Sequence, residues 1–214
     1  MDELQYTLLS DGPADKALMP VLNWLLQQHV PNLPIQSRWA DLRRLRQPPR
    51  QLYERILKSI ELFPCDLLFI HRDAETASPE ERRDEIEQAA IDAGIDNDVF
   101  AVICVVPVRM TEAWLLFDVA AIREAAGNPN GTVPIYLPDL STIEGLANPK
   151  KMLNKVLLTA TELGTYRKKR FDTSRAVQRV PEYIDDFSTL RRLPAFAALE
   201  KEVKKKVESK GWNS

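Results

Sequence analysis

Apolar and polar positions switch between two periods along the first half of this chain. Tyr6 to Leu9 form a short apolar run that ends in the polar turn "SDGPAD", and beyond it Leu18, Val21, Leu22, Leu25 and Leu26 recur on one helical face. Strand, Gly-Pro corner and helix are predicted in that order. "NLPIQSRWAD" reads as a strand or extended segment, and "PRQLYERILKSIEL" as a helix with Leu52, Ile56, Leu57 and Ile60 facing inward. Asp66 to Ile70 is predicted to be a short buried strand. "SPEERRDEIEQAAIDAG" opens with Ser-Pro, carries acids in its first turn and stops at Gly94, which are helix start and stop signals. Val99 to Val106 is apolar on both parities, the pattern of a strand covered on both faces of a parallel sheet. "MTEAWLLFDVAAIREAAG" then reads as one further helix ending at Gly127.

Strands separated by helices predict an α/β fold: a mostly parallel central sheet with helices on both faces. The pattern changes after Tyr136, where no strand is legible. "NPNGTVPIYLPDL" is a loop, "NPKKMLNKVLLTATEL" a helix, and "DFSTLRRLPAFAALEKEVKKKVES" one or two more. The expected organisation is an α/β core over 1–127 with a helical C-terminal extension over 128–214 packed on it, or one domain over 1–214. No internal repeat interrupts this picture.

Composition narrows the function classes. With 214 residues, 44% hydrophobic and 28% charged, the chain has the balance of an ordinary folded protein. Its longest apolar runs fall far short of the roughly 20 residues that span a bilayer. "MDELQY" places acids where a secretory signal carries positive charge, so a cytoplasmic protein is expected. The two cysteines, Cys65 and Cys104, fall at or inside predicted strands and suit reduced core positions; the two histidines lie far apart, not at zinc-ligand spacing. The net charge of −2 gives no global positive field, so any nucleic-acid contact must be local or supplied by a partner. Basic runs such as "YRKKR" read first as solvated helix faces.

Acids fall at three predicted strand ends: Asp11 after the first strand, Asp73 and Glu75 after "LLFI", and Glu112 after "VICVVPV". Parallel strands aim their carboxyl ends the same way, which lets these side chains converge on one edge of the sheet. Converging carboxylates repel one another unless cations neutralise them, and oxygen ligands suit Mg²⁺ or Mn²⁺. The competing account is structural: Asp11 and Asp15 cap the first helix, Asp73 and Glu75 solvate a loop, and Glu112 is an acid in a first helical turn. Asp118, about 120° around a helix from Glu112, is not placed to share an ion with it.

Taken together, "SDGPAD" (Ser10 to Asp15), Asp73-Ala74-Glu75 and "VRMTEAWLLFD" (Val108 to Asp118) resemble the Toprim-like domain, the metal-binding fold of topoisomerases, primases and overcoming-lysogenisation-defect nucleases. Within that group the chain is most similar to small bacterial proteins whose genes often adjoin ABC-type or related ATPases in defence loci. The matching patterns there are "EGxxD", Asp-x-Asp and "VxxxEAWLLAD". This chain departs in having Asp11 where Glu is usual and Glu75 where Asp is usual. The resemblance implies Mg²⁺ (or Mn²⁺)-dependent hydrolysis of DNA or RNA, in an antiviral effector acting with an ATPase partner. It assigns Asp11 as base or metal ligand, Asp73 and Glu75 as principal ligands, and Glu112 as a further ligand or organiser. Lys16, Arg72 and Arg109 become phosphate-contact candidates, and His71 an orienting or structural residue. The alternative it allows is a catalytically inactive adaptor or sensor that binds a partner protein; either form leaves room for a homo-oligomer. A nucleotide-binding enzyme ranks last, since neither GxxxxGK[ST] nor GxGxxG occurs.

Overall fold

Side-chain alternation along the strands divides the hydrophobic interior into two layers. In the computed structural model, which describes residues 2–96 and 99–213, β1 (Leu4–Leu9), β2 (Ile35–Trp39), β3 (Leu67–His71) and β4 (Ala101–Val105) form one all-parallel sheet in the order β2-β1-β3-β4. Leu4, Tyr6, Leu8, Leu67, Phe69, Ala101, Ile103 and Val105 pack on one face. Leu9, Leu68, Ile70, Val102 and Cys104 pack on the other. Every residue of β3 and β4 is buried, which is why both read as unbroken apolar runs rather than alternating ones.

The connections follow from parallel pairing, which requires a crossover each time. α1 (Leu18–His29) lies on the first face and supplies Val21, Leu22, Leu25 and Leu26 to it. α2 (Leu52–Leu62) and α3 (Pro79–Asp92) cover the second with Ile56, Ile86, Ala89 and Ala90. The start of α3 is fixed by a reciprocal cap: Ser78 Oγ accepts the Glu81 N–H at 3.1 Å, and the Glu81 carboxylate accepts the Ser78 N–H at 2.7 Å. Because β1 leads to β2 on one side while β3 flanks it on the other, the chain reverses direction at β1/β3. A crevice opens at such a switch point, beyond the carboxyl ends of the strands.

The segment read as one helix over "MTEAWLLFDVAAIREAAG" is instead broken in two. Thr111–Leu115 is a 3₁₀ turn, and α4 (Val119–Ala125) starts afresh behind Asp118, whose carboxylate accepts the Ala121 N–H at 2.9 Å. The reason is burial: Trp114, Leu115 and Leu116 are all inaccessible. Successive residues of an α-helix point about 100° apart and cannot all enter one core.

The C-terminal half is helical, through α5 (Pro149–Ala160), α6 (Thr165–Lys168), α7 (Thr173–Arg179) and α8 (Pro194–Lys210). Leu153, Leu157, Val177, Phe196 and Val203 join the same hydrophobic layer as β1, β3 and α1. α8 also covers the free edge of β4, where Glu202 accepts the Cys104 N–H at 3.3 Å while holding Arg83 at 2.6 Å. A charged side chain thereby occupies an edge position that could otherwise template further strands. Neither cysteine forms a disulfide, and among the described residues no helix is long and apolar enough to cross a membrane.

Candidate metal centre

The crevice at the β1/β3 switch point is a cleft of about 520 Å³. Its floor is made by the chain leaving β1 and β3 and by the 3₁₀ turn after β4. The opposite wall comes from Lys150 and Asn154 of α5 and Ser174 and Gln178 of α7. The helical half of the chain therefore completes this cleft.

On leaving β1 the chain turns at Gly12-Pro13 into a 3₁₀ segment. The Gly12 N–H donates to Asp15 Oδ2 at 2.8 Å, which folds the Asp15 side chain back over the sheet edge. Asp11, one residue before this turn, stands at the rim of the cleft, its carboxylate held by Arg55 at 2.6 Å and Arg72 at 2.9 Å. β3 ends in His71, on the same parity as Leu67 and Phe69, so its ring enters the cleft from the first face at only 2% exposure. Beyond it the chain keeps pairing with the segment after β4: the N–H groups of Arg72, Ala74 and Glu75 donate to the carbonyls of Val105, Pro107 and Arg109. This continued ladder fixes Asp73. Its Oδ1 accepts the Thr111 N–H at 2.9 Å and lies 3.2 Å from Thr111 Oγ1.

The result is a cluster of Asp15, His71 and Asp73 whose ligand-type atoms lie within 4.8 Å of one another. His71 Nε2 is 3.4 Å from Asp73 Oδ1 and 3.8 Å from Asp15 Oδ1. Two donors bound to one ion at about 2.1 Å sit roughly 3.0–3.4 Å apart at octahedral and tetrahedral angles, so these separations lie at or just above the range that one cation needs. By donor chemistry the group could hold a metal ion, with a modest closing of the Asp15 side chain toward His71. Burial pushes the Asp73 carboxyl up to about 6, with the carboxylates of Asp15 and Glu112 adding to the rise while His71 and the Thr111 N–H oppose it. Glu112 is 6% exposed in the 3₁₀ turn and lines the same cleft. Its carboxyl is likewise raised, chiefly by burial, against the pull of Lys150.

Asp73, Glu75, Glu112, Asp11 and Arg72 all line the cleft. Arg72 is committed to Asp11 and to Glu85, the latter at 2.8 Å. Glu75 is exposed at a left-handed backbone position (φ 53°) facing Arg109 (φ 66°), whose guanidinium donates to the Glu75 carbonyl at 3.0 Å. Lys16 lies outside, in a depression with Met19, Asn23 and Gln178. Asp15 and His71 are the cluster members that strand-end counting passes over. The signal that could have found them is the Gly-Pro corner, which turns the chain back three residues after Gly12, and the parity of His71 with Leu67 and Phe69.

Fold and cleft together define an α/β protein with a four-stranded parallel sheet and an acid-rich, imidazole-containing pocket at its switch point, compatible with a Toprim-like fold. No protein-family model, curated protein or solved structure matches the chain.

Proposed function

We propose that this chain is a Toprim-like, metal-dependent nuclease that hydrolyses phosphodiester bonds of DNA or RNA, and that it serves bacterial antiviral defence together with an ATPase encoded nearby. The observation that carries the reading is the convergence of Asp15, His71 and Asp73 within 4.8 Å at the carboxyl edge of the sheet, with Glu112 beside them. Asp15, His71 and Asp73 would hold a divalent ion there, which would supply charge stabilisation for phosphoryl oxygens and activation of water. The chain's own groups do the rest. Lys150 faces the cleft as a cation for the substrate backbone, with Arg82, paired to Glu85 at 2.7 Å, beside it, and Asn154, Ser174 and Gln178 offer neutral hydrogen-bonding partners. Asp11 keeps Arg55 and Arg72 gathered at the rim. Glu112, with its carboxyl raised by burial, can hold a proton near the scissile position. The net charge of −2 gathers no polyanion by itself, which favours a partner that delivers the nucleic acid.

The test is incubation of the protein, alone and with the neighbouring ATPase, with single- and double-stranded DNA and RNA in Mn²⁺, in Mg²⁺ and in a chelator. Cleavage that needs the ion and disappears in an Asp15→Asn, Asp73→Asn double variant supports the nuclease. Equal behaviour of wild type and double variant in every combination would overturn it in favour of the adaptor reading. Metal affinity should also depend on pH. Asp73, with its carboxyl at about 6, must lose its proton to ligate. Calorimetric Mn²⁺ titrations should therefore weaken by at least about tenfold per pH unit below about pH 6.

A further inference from the structure

The geometry points to a mixed nitrogen–oxygen site in which His71 Nε2 is itself a ligand, so that the cleft selects a first-row transition ion over Mg²⁺. The inference rests on the metal-dependent reading of the same cleft and names the ion class it takes.

The tautomer is set by the fold. His71 stands opposite Val105 in the β3–β4 ladder, and its Nδ1 lies 3.0 Å from the Val105 carbonyl. A carbonyl only accepts, so the Nδ1 proton is committed there, and Nε2 of the neutral ring presents its lone pair to the cleft. This is the arrangement by which a backbone carbonyl orients a metal-binding imidazole. Here it is built from strand register alone, before any ion arrives.

What faces that lone pair is two more acceptors, Asp73 Oδ1 at 3.4 Å and Asp15 Oδ1 at 3.8 Å. The one hydroxyl donor among them is Thr111, whose Oγ1 is 3.3 Å from Nε2 and 3.2 Å from Asp73 Oδ1. A hydroxyl has a single proton and can serve one of them. With the ring neutral and Asp73 ionised, the other is left turned toward an acceptor inside a largely buried pocket, an arrangement that either a proton or a metal ion resolves. Imidazole nitrogen is a good ligand for first-row transition ions, whereas Mg²⁺ holds to oxygen and gives up its waters reluctantly. An all-carboxylate site would accept Mg²⁺; replacing one oxygen by Nε2 shifts the preference away from it.

The experiment is calorimetric titration of the metal-free full chain with Mn²⁺, Co²⁺ and Mg²⁺ separately, without nucleic acid, for wild type and His71→Gln. In wild type, Mn²⁺ and Co²⁺ should each bind at least about tenfold more tightly than Mg²⁺, following the ligand-type argument. In His71→Gln that ratio should shrink several-fold, with circular dichroism melting showing that the variant is folded. Should His71→Gln fail to fold, the wild type still decides, because Mn²⁺ must selectively broaden the His71 ring resonances and Co²⁺ must show visible bands altered by nitrogen ligation. Comparable affinities for Mg²⁺ and Mn²⁺, an unchanged ratio in the variant, or unperturbed His71 resonances would overturn the inference. Those results would leave the nuclease standing if cleavage still needs an ion. Selective binding without cleavage would instead sink the nuclease and keep the site. Binding of no ion at all would remove both.

Discussion

Asp73→Asn should abolish ion-dependent cleavage and, at the same time, make the metal-free protein more stable. The loss of activity should reach at least about 10²-fold, the scale produced when a catalytic constellation is displaced by about 1 Å. The gain in stability has a separate origin. The Asp73 carboxyl lies at about 6 in the fold, above its ordinary 3.8, because burial and the neighbouring acids penalise its charged form. The favourable contribution of the protonated form is fully present below the unfolded-state pKa and is lost as pH rises to about 6. At neutral pH the ionised group then costs about 3 kcal/mol, at 1.36 kcal/mol per pKa unit. Asparagine removes the charge and keeps an oxygen to accept the Thr111 N–H. Urea unfolding at about pH 7.5 should show the variant ahead by about 1–3 kcal/mol, shrinking toward zero below about pH 4. Saturating Mn²⁺ should reverse the order, since only the wild type gains binding energy from the ion. A variant that is less stable at neutral pH without metal, or that still cleaves, would contradict this account of the site.

That opposition between activity and stability explains which parts of the molecule were legible in its sequence. The strands were: "LLFI" and "AVICV" are apolar on both parities because helices cover both faces, and a pattern produced by burial alone can be read without knowing the partners. The crossover helices were legible for the same reason, aided by Ser78-Pro79 and Gly94 as local punctuation. The site was legible only in part. Asp73 stands two residues beyond β3 and Glu112 in the 3₁₀ turn after β4, so topology places both near the carboxyl edge of the sheet. Asp15 reaches the cleft because one hydrogen bond to the Gly12 N–H folds it back, and Lys16, its sequence neighbour, is rotated away by the same 3₁₀ turn. Proximity in sequence could not separate the two. Nor could it anticipate the wall supplied by Lys150, Asn154, Ser174 and Gln178, which depends on helices far along the chain packing against the first face of the sheet.

Trp114→Ala should be the most damaging single truncation in the core, with an expected loss of about 3–5 kcal/mol and of the ion response together. Trp114 is fully inaccessible and meets the Phe196 ring of α8 edge-on, with centroids 5.4 Å apart, so its removal opens a cavity between the 3₁₀ turn and the C-terminal helix. The turn it anchors also carries Thr111, which holds Asp73, and Glu112, which lines the cleft. Packing and chemistry are thus joined within the stretch "TEAWLL": the tryptophan fixes the turn, and the turn fixes the acids. Trp114→Phe separates size from polarity. The indole Nε1 has no hydrogen-bond partner among the described residues, and burying such a donor costs roughly 1–3 kcal/mol. Phenylalanine loses volume but keeps an aromatic ring and relieves that penalty, so it should cost clearly less than alanine, about 1–2 kcal/mol. Denaturant unfolding and Mn²⁺ calorimetry on both variants check the pair. If alanine costs less than about 1 kcal/mol, or leaves Mn²⁺ affinity intact in a folded protein, the turn is held in place by something other than this indole.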